Sequence, residues 1–91
     1  MTKRLVVTVT GRVQMVMFRD FIKRRAQKLG LSGWVKNETS GNVTIVAEGE
    51  ESKLQEILER AQKGSFLSRV DSVTSEWQES QGLSGIFFIQ Y

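Results

Sequence analysis

The chain has no cysteine and no histidine. Without thiols there is neither a disulfide framework nor sulfur nucleophile chemistry, and without imidazole the commonest metal ligand and general base are both missing. Its only aspartates are Asp20 and Asp71, too far apart in sequence to form a paired-aspartate phosphatase motif. Also lacking are a metal-ligand cluster, a glycine-rich nucleotide loop and a catalytic triad, so neither a metal nor a cofactor is expected. Low-complexity tracts are absent, and so is any apolar run near the length of a membrane span. At the N-terminus, Lys3 and Arg4 precede an apolar run that Thr8, Thr10 and Arg12 interrupt before a signal-peptide core could form. A cytoplasmic location without membrane attachment is the default expectation.

What is present suits one ordered domain spanning residues 1–91, with 40% apolar and 25% charged residues. Thirteen cations against ten anions give a net charge of +3, enough to attract small anions or simply to maintain solubility.

Hydrophobic periodicity orders the elements. Leu5 to Val9 is β-branched and bounded by Gly11, which predicts a strand with Leu5, Val7 and Val9 on one face. From Phe18 the period changes: Phe18, Ile22, Ala26 and Leu29 form an apolar stripe opposite Asp20, Lys23, Arg24, Gln27 and Lys28, a helix that Gly30 stops. The Lys23-Arg24-Arg25 cluster reads as its solvated face. Leu31 to Lys36 and Val43 to Glu48 read as strands around the turn formers 37–42, a hairpin in which Gly41 best suits a positive φ. Glu50-Glu51 then opens a second helix with buried Leu54, Ile57, Leu58 and Ala61, ending at Gly64. Arg69 to Trp77 and Ile86 to Gln90 complete the set as strands. The order βαββαβ, with one extra strand-like segment, predicts an α+β ferredoxin-like split βαβ sandwich: an antiparallel sheet with two helices on one face.

The candidate site is the run Gly11-Arg12-Val13-Gln14-Met15-Val16-Met17-Phe18-Arg19, where strand passes to helix. Backbone N–H groups at a helix N-terminus lack intrahelical partners and lie at the positive end of the macrodipole, so they can cradle a phosphate. Arg19 adds a planar cationic fork matched to phosphate oxygens, yet it opposes the helix dipole unless an anion offsets it. Asp20 or a bound phosphate could supply that anion. On residue types alone, an exposed first-turn arginine and a turn asparagine at Asn37 are equally ordinary.

The run resembles the signature of the acylphosphatase family: glycine, any residue, Val-Gln-Gly-Val-x-Phe-Arg, and downstream Ala-x-x-Leu-Gly-Leu-x-Gly-Trp-Val-x-Asn. The chain matches it at Gly11, Val13, Gln14, Val16, Phe18 and Arg19, then at Ala26, Leu29, Gly30, Leu31, Gly33, Trp34, Val35 and Asn37. Segments 40–43, 47–49, 68–70 and 87–89 continue the likeness over nearly the whole length. The resemblance implies metal-independent hydrolysis of acyl phosphates. Arg19 and the backbone amides of Gln14, Met15, Val16, Met17, Phe18 and Arg19 would hold the phosphoryl group, and Asn37 would orient the attacking water. Inorganic phosphate would be product and inhibitor. A carboxylate leaves readily without a general acid, which suits a chain lacking histidine.

The chain departs from the pattern at Met15, where the family carries a nearly obligatory glycine, and at Met17, a more variable position that is often glycine. If residue 15 needs a left-handed backbone, a methionine there costs roughly 1–2 kcal/mol and turns an amide away from the anion, leaving an impaired anion-binding relative. If its backbone suits any L-residue, both thioethers border the pocket and favour a hydrophobic acyl group. RNA-recognition modules share the βαββαβ order, but they stack bases on aromatics of the first and third strands, and 5–9 and 43–48 contain none, so no nucleic acid is expected. A monomer is the default.

Overall fold

The computed structural model describes residues 2–14 and 17–91. The elements run β1 (Thr2–Arg12), α1 (Phe18–Lys28), β2 (Ser32–Asn37), β3 (Val43–Glu50), α2 (Glu51–Lys63), β4 (Arg69–Glu79) and β5 (Phe88–Gln90). The sheet order is β4-β1-β3-β2-β5. Antiparallel pairing joins the first four strands, as alternation around short turns leads one to expect, and β5 adds a parallel partner for β2, so the five-stranded sheet is mixed. A parallel neighbour requires a crossover, here the segment 80–87 that carries the chain from the β4 edge to the opposite edge.

Side-chain alternation fixes which face is covered. Leu5, Val7 and Val9 of β1 stand opposite Ala47, Ile45 and Val43 of β3, and all six are fully buried. Phe18, Ile22 and Ala26 of α1 and Leu54, Ile57 and Ala61 of α2 join the same core, so both amphipathic helices lie on this one face. No helix among the described residues is long and apolar enough to cross a membrane.

Several strands outrun their apolar patterns. β1 reaches from Thr2 to Arg12 because backbone pairing with β3 and β4 needs no apolar side chain. β2 extends to Asn37, expected in the turn but paired with Val43, so its backbone is held by the sheet. The hairpin is closed by the Glu38 N–H donating to the Asn42 carbonyl, 2.8 Å, and Gly41 adopts the expected positive φ of 97°. The cationic cluster of α1 divides. Lys23 and Arg24 pair with Asp20 on the outer face, whereas Arg25 crosses to Glu56 of α2 and ties the helices together.

Candidate active site

The turn from β1 into α1 is shaped first by a bulge. The β1–β4 register slips between Thr10 and Gly11, where φ is 126° and an added Cβ would lie 2.2 Å from the Arg69 carbonyl oxygen. Only glycine fits there, and the bulge redirects the strand end into the loop. Gln14 then anchors the loop: its side-chain amide donates to the carbonyls of Glu38, 2.8 Å, and Asn42, 2.9 Å. The loop is thereby fastened to the hairpin that follows Asn37.

Met15 and Val16 lie outside the described residues, so the expectations placed on them stay with the sequence. Met17, the second departure from the family pattern, has φ 61° and ψ 20° and is the one non-glycine residue with positive φ among the described residues. An L-residue in this conformation costs roughly 1–2 kcal/mol. Met17 also precedes the first helical residue, and its side chain caps no N–H. The first intrahelical bond runs from the Phe21 N–H to the Met17 carbonyl, 3.0 Å. The N–H groups of Phe18, Arg19 and Asp20 come before that bond and point out of the helix end. The side chain of Phe18 is 1% exposed, so this residue offers only its backbone while its ring anchors the helix start in the core.

Arg19 occupies the second helical position without an ion pair among the described residues. Asp20, the neighbour able to offset it, is committed elsewhere: its carboxylate takes Arg24 Nε at 2.8 Å and Lys23 Nζ at 3.6 Å. The Arg19 guanidinium instead lies 5.3 Å from the Tyr91 ring centroid, a cation–π contact that the sequence did not announce. A cleft of about 280 Å³ beside it is lined by Val13, Met17, Phe18, Arg19, Asp20 and Ile89.

Asn37 does not line that cleft; it is the last residue of β2. Val9, Val43 and Asn37 form one cross-strand row on the helix-covered face, so Asn37 continues the core layer with a polar side chain. Its Oδ1 is buried and has no hydrogen-bond partner among the described residues. Such an atom costs on the order of 1–3 kcal/mol unless a ligand or water donates to it. The parallel β2–β5 register ends at Lys36 and Gln90, so the next residues in each strand direction are Asn37 and Tyr91. Tyr91, the residue after the end of β5, is the one whose ring carries Arg19.

A second polar centre, missed in the sequence, holds this C-terminal segment in place. Glu48 is 2% exposed, and its carboxylate accepts from Ser80 Oγ at 2.7 Å, the Gln81 N–H at 2.8 Å, the Leu83 N–H at 3.0 Å and Arg4 Nη1 at 3.1 Å. Burial pushes its pKa upward, but the Gln81, Ser80, Leu83 and Arg4 hydrogen bonds outweigh that effect and lower it to about 2. The crossover to β5 is therefore pinned by a buried carboxylate. Nothing in an alternating Val43–Glu48 pattern distinguishes this glutamate, because its partners lie 32 to 44 residues away.

The fold defines a class: a ferredoxin-like α+β protein whose first strand passes through a glycine bulge and an anchored loop into its first helix. Comparison with known proteins narrows it. The family model described as Acylphosphatase matches residues 5–89, and the chain belongs to the acylphosphatase family. It is 44% identical over 82 residues to the acylphosphatase of Thermus thermophilus, covering 90% of this chain and 93% of that one. With the acylphosphatase of Salinibacter ruber it shares 41% over 78 residues, 86% and 82% of the respective chains. The crystal structure of acylphosphatase from Bacillus subtilis superposes over the full length of both chains with a TM-score of 0.92 at 40% identity.

Proposed function

We propose that this protein hydrolyses acyl phosphates to a carboxylate and inorganic phosphate, with Arg19 and the 14–19 backbone amides holding the phosphoryl group and Asn37 orienting the water. The observation that carries the mechanism is the buried Asn37 Oδ1, an acceptor without a partner among the described residues at the polar end of the core row. An amide cannot take a proton at neutral pH, so its oxygen can aim the water by accepting one hydrogen bond while a substrate phosphate oxygen takes the proton. Arg19, without an ion pair among the described residues at the positive end of α1, supplies the charge that a phosphoryl group would neutralise. In-line attack breaks the phosphorus–oxygen bond to the acyl group, and the carboxylate departs without acid assistance. No histidine, thiol or phosphoenzyme is needed.

Arg19→Ala and Asn37→Ala separate the two roles. Arg19→Ala should abolish inhibition by inorganic phosphate. Asn37→Ala should lower kcat on the order of 10²-fold with little change in KM, the pattern for an interaction made in the transition state. Phosphate inhibiting Arg19→Ala as strongly as wild type refutes the cradle assignment. A benzoyl phosphate assay of Met15→Gly beside wild type tests the loop methionine: a large gain in the variant marks an impaired enzyme, and equal rates mark a tolerated side chain.

A further inference from the structure

A wide groove adjoins the cradle. About 840 Å³ in volume, it runs along the outer side of α1 to the α2–β4 connection, and it shares Met17 and Asp20 with the Arg19 cleft. Its walls include Phe21, and from the α2–β4 connection Phe66 and Leu67, which are 98% and 62% exposed. Met17, 69% exposed, stands between the two depressions. The lining follows α1 from its start to Lys28, so the groove is about 16 Å long at the rise of an α-helix.

Its charges are uneven. Of the lining cations, Arg24 is paired with Asp20 and Arg25 with Glu56. Lys28 and Arg60 have no ion pair among the described residues, and both sit in the last turns of their helices. Because α1 and α2 run antiparallel, Arg60 lies at the cradle end with Phe66 and Leu67, and Lys28 is the cation at the far end of the groove, by the C-terminus of α1.

We propose that this groove receives the acyl group of the substrate, so that the preferred substrates are medium-chain acyl phosphates bearing an anionic group at the far end of the chain. The proposal rests on the acyl phosphate reading above. With the phosphoryl group in the cradle, the acyl chain passes over Met17, lies against Phe21, Phe66 and Leu67, and brings its terminal anion to Lys28. The volume is within the range of pockets that enclose small molecules, and an elongated occupant matches the groove better than a compact one. Met17, Phe66 and Leu67 then act as specificity-determining residues for a reaction whose chemistry they do not touch.

The test compares acetyl phosphate, octanoyl phosphate and the ω-carboxylated octanoyl phosphate. Each methylene buried in the groove is worth up to about fourfold in kcat/KM, so octanoyl phosphate should exceed acetyl phosphate at least about tenfold. The ω-carboxylate should add a further gain that salt suppresses. Changing Phe66→Ser together with Leu67→Ser should remove the chain-length preference and leave acetyl phosphate turnover unchanged. Lys28→Glu should remove the ω-carboxylate gain alone. Equal kcat/KM for acetyl and octanoyl phosphate in wild type, or an equal loss on both in the Phe66/Leu67 variant, overturns the proposal. Hydrolysis of none of the three refutes the acyl phosphate reading instead. In that event, titration of octylphosphonate against methylphosphonate tests the groove by itself, and equal affinities overturn it.

Discussion

Replacing Glu48 by glutamine changes one atom in the centre that fixes the crossover to β5. One carboxylate oxygen accepts from Ser80 Oγ and the Leu83 N–H, the other from the Gln81 N–H and Arg4 Nη1. At the Oε2 position the new NH₂ group faces the Gln81 N–H and Arg4 Nη1 and can accept from neither, whereas at the Oε1 position the Ser80 hydroxyl can turn to accept from it and only the Leu83 hydrogen bond is lost. Losing one or two hydrogen bonds to a charged acceptor costs about 1.5–6 kcal/mol. The lowered pKa of Glu48 gives a second figure. A folded pKa of about 2 against an ordinary value of 4.5 corresponds to about 3 kcal/mol of stabilisation by the ionised form. Because the folded value is the lower one, this contribution is present above pH 4.5 and is lost as the pH falls toward about 2. Denaturant unfolding of wild type and Glu48→Gln should therefore show a gap of about 3 kcal/mol near pH 7 that closes as the pH falls through that window. Taking the difference between the proteins cancels the other carboxylates, which both share. A gap below about 0.5 kcal/mol, or one independent of pH, refutes the account of Glu48 as an ionised buried anchor.

Met17→Gly should relieve the left-handed backbone at little burial cost, since Met17 is 69% exposed; a gain of up to about 1 kcal/mol should appear as a Tm increase of several degrees. Gln14→Ala should free the loop from the Glu38 and Asn42 carbonyls, raising the inhibition constant for phosphate several-fold, while thermal melting drops by no more than the loss of two neutral hydrogen bonds, about 1–3 kcal/mol. Tyr91→Ala should remove the ring beneath Arg19 and raise KM about two- to fivefold with kcat nearly unchanged, as expected for a contact worth about 0.5–1 kcal/mol at an exposed site; a steady-state assay with benzoyl phosphate separates the two constants.

The helix stripes and the hairpin were legible because burial repeats with the local period: Phe18, Ile22 and Ala26 are buried where a spacing of four places them. The same logic located Gly41 and the helix that begins at Glu51. Strand ends were not legible, since Thr2, Lys3 and Arg12 are held by backbone pairing rather than by their side chains. At the site, the uncompensated position of Arg19 could be read, but its outcome depended on where Asp20 spends its charge, and Arg24 at i+4 decided that. Tyr91, Glu48 and the Arg25–Glu56 bridge depend on residues distant in sequence, and no local pattern encodes them. Asn37 was named as a site residue by its resemblance. What the fold adds is that its carboxamide oxygen is buried without a partner among the described residues.

The placement of β1 inside the sheet has a consequence for how the molecule is made. This strand emerges first in synthesis, yet one of its two neighbours is β4, with Leu5 facing Trp77 and Lys3 facing Glu79. Until those residues exist, the uncharged run Leu5-Val6-Val7-Thr8-Val9 has an open edge with high β propensity, the kind of segment that pairs with other chains. Closure then waits on contacts of long sequence separation, so folding belongs to the slower range for a domain of this size. Since Tyr91 joins Arg19 only after β5 has docked, partly folded chains would carry the cradle sequence without its completed surroundings. Aggregation during refolding should accordingly be relieved by a charge at Val6 or Thr8, on the face the helices leave open, and not by changes at the loop.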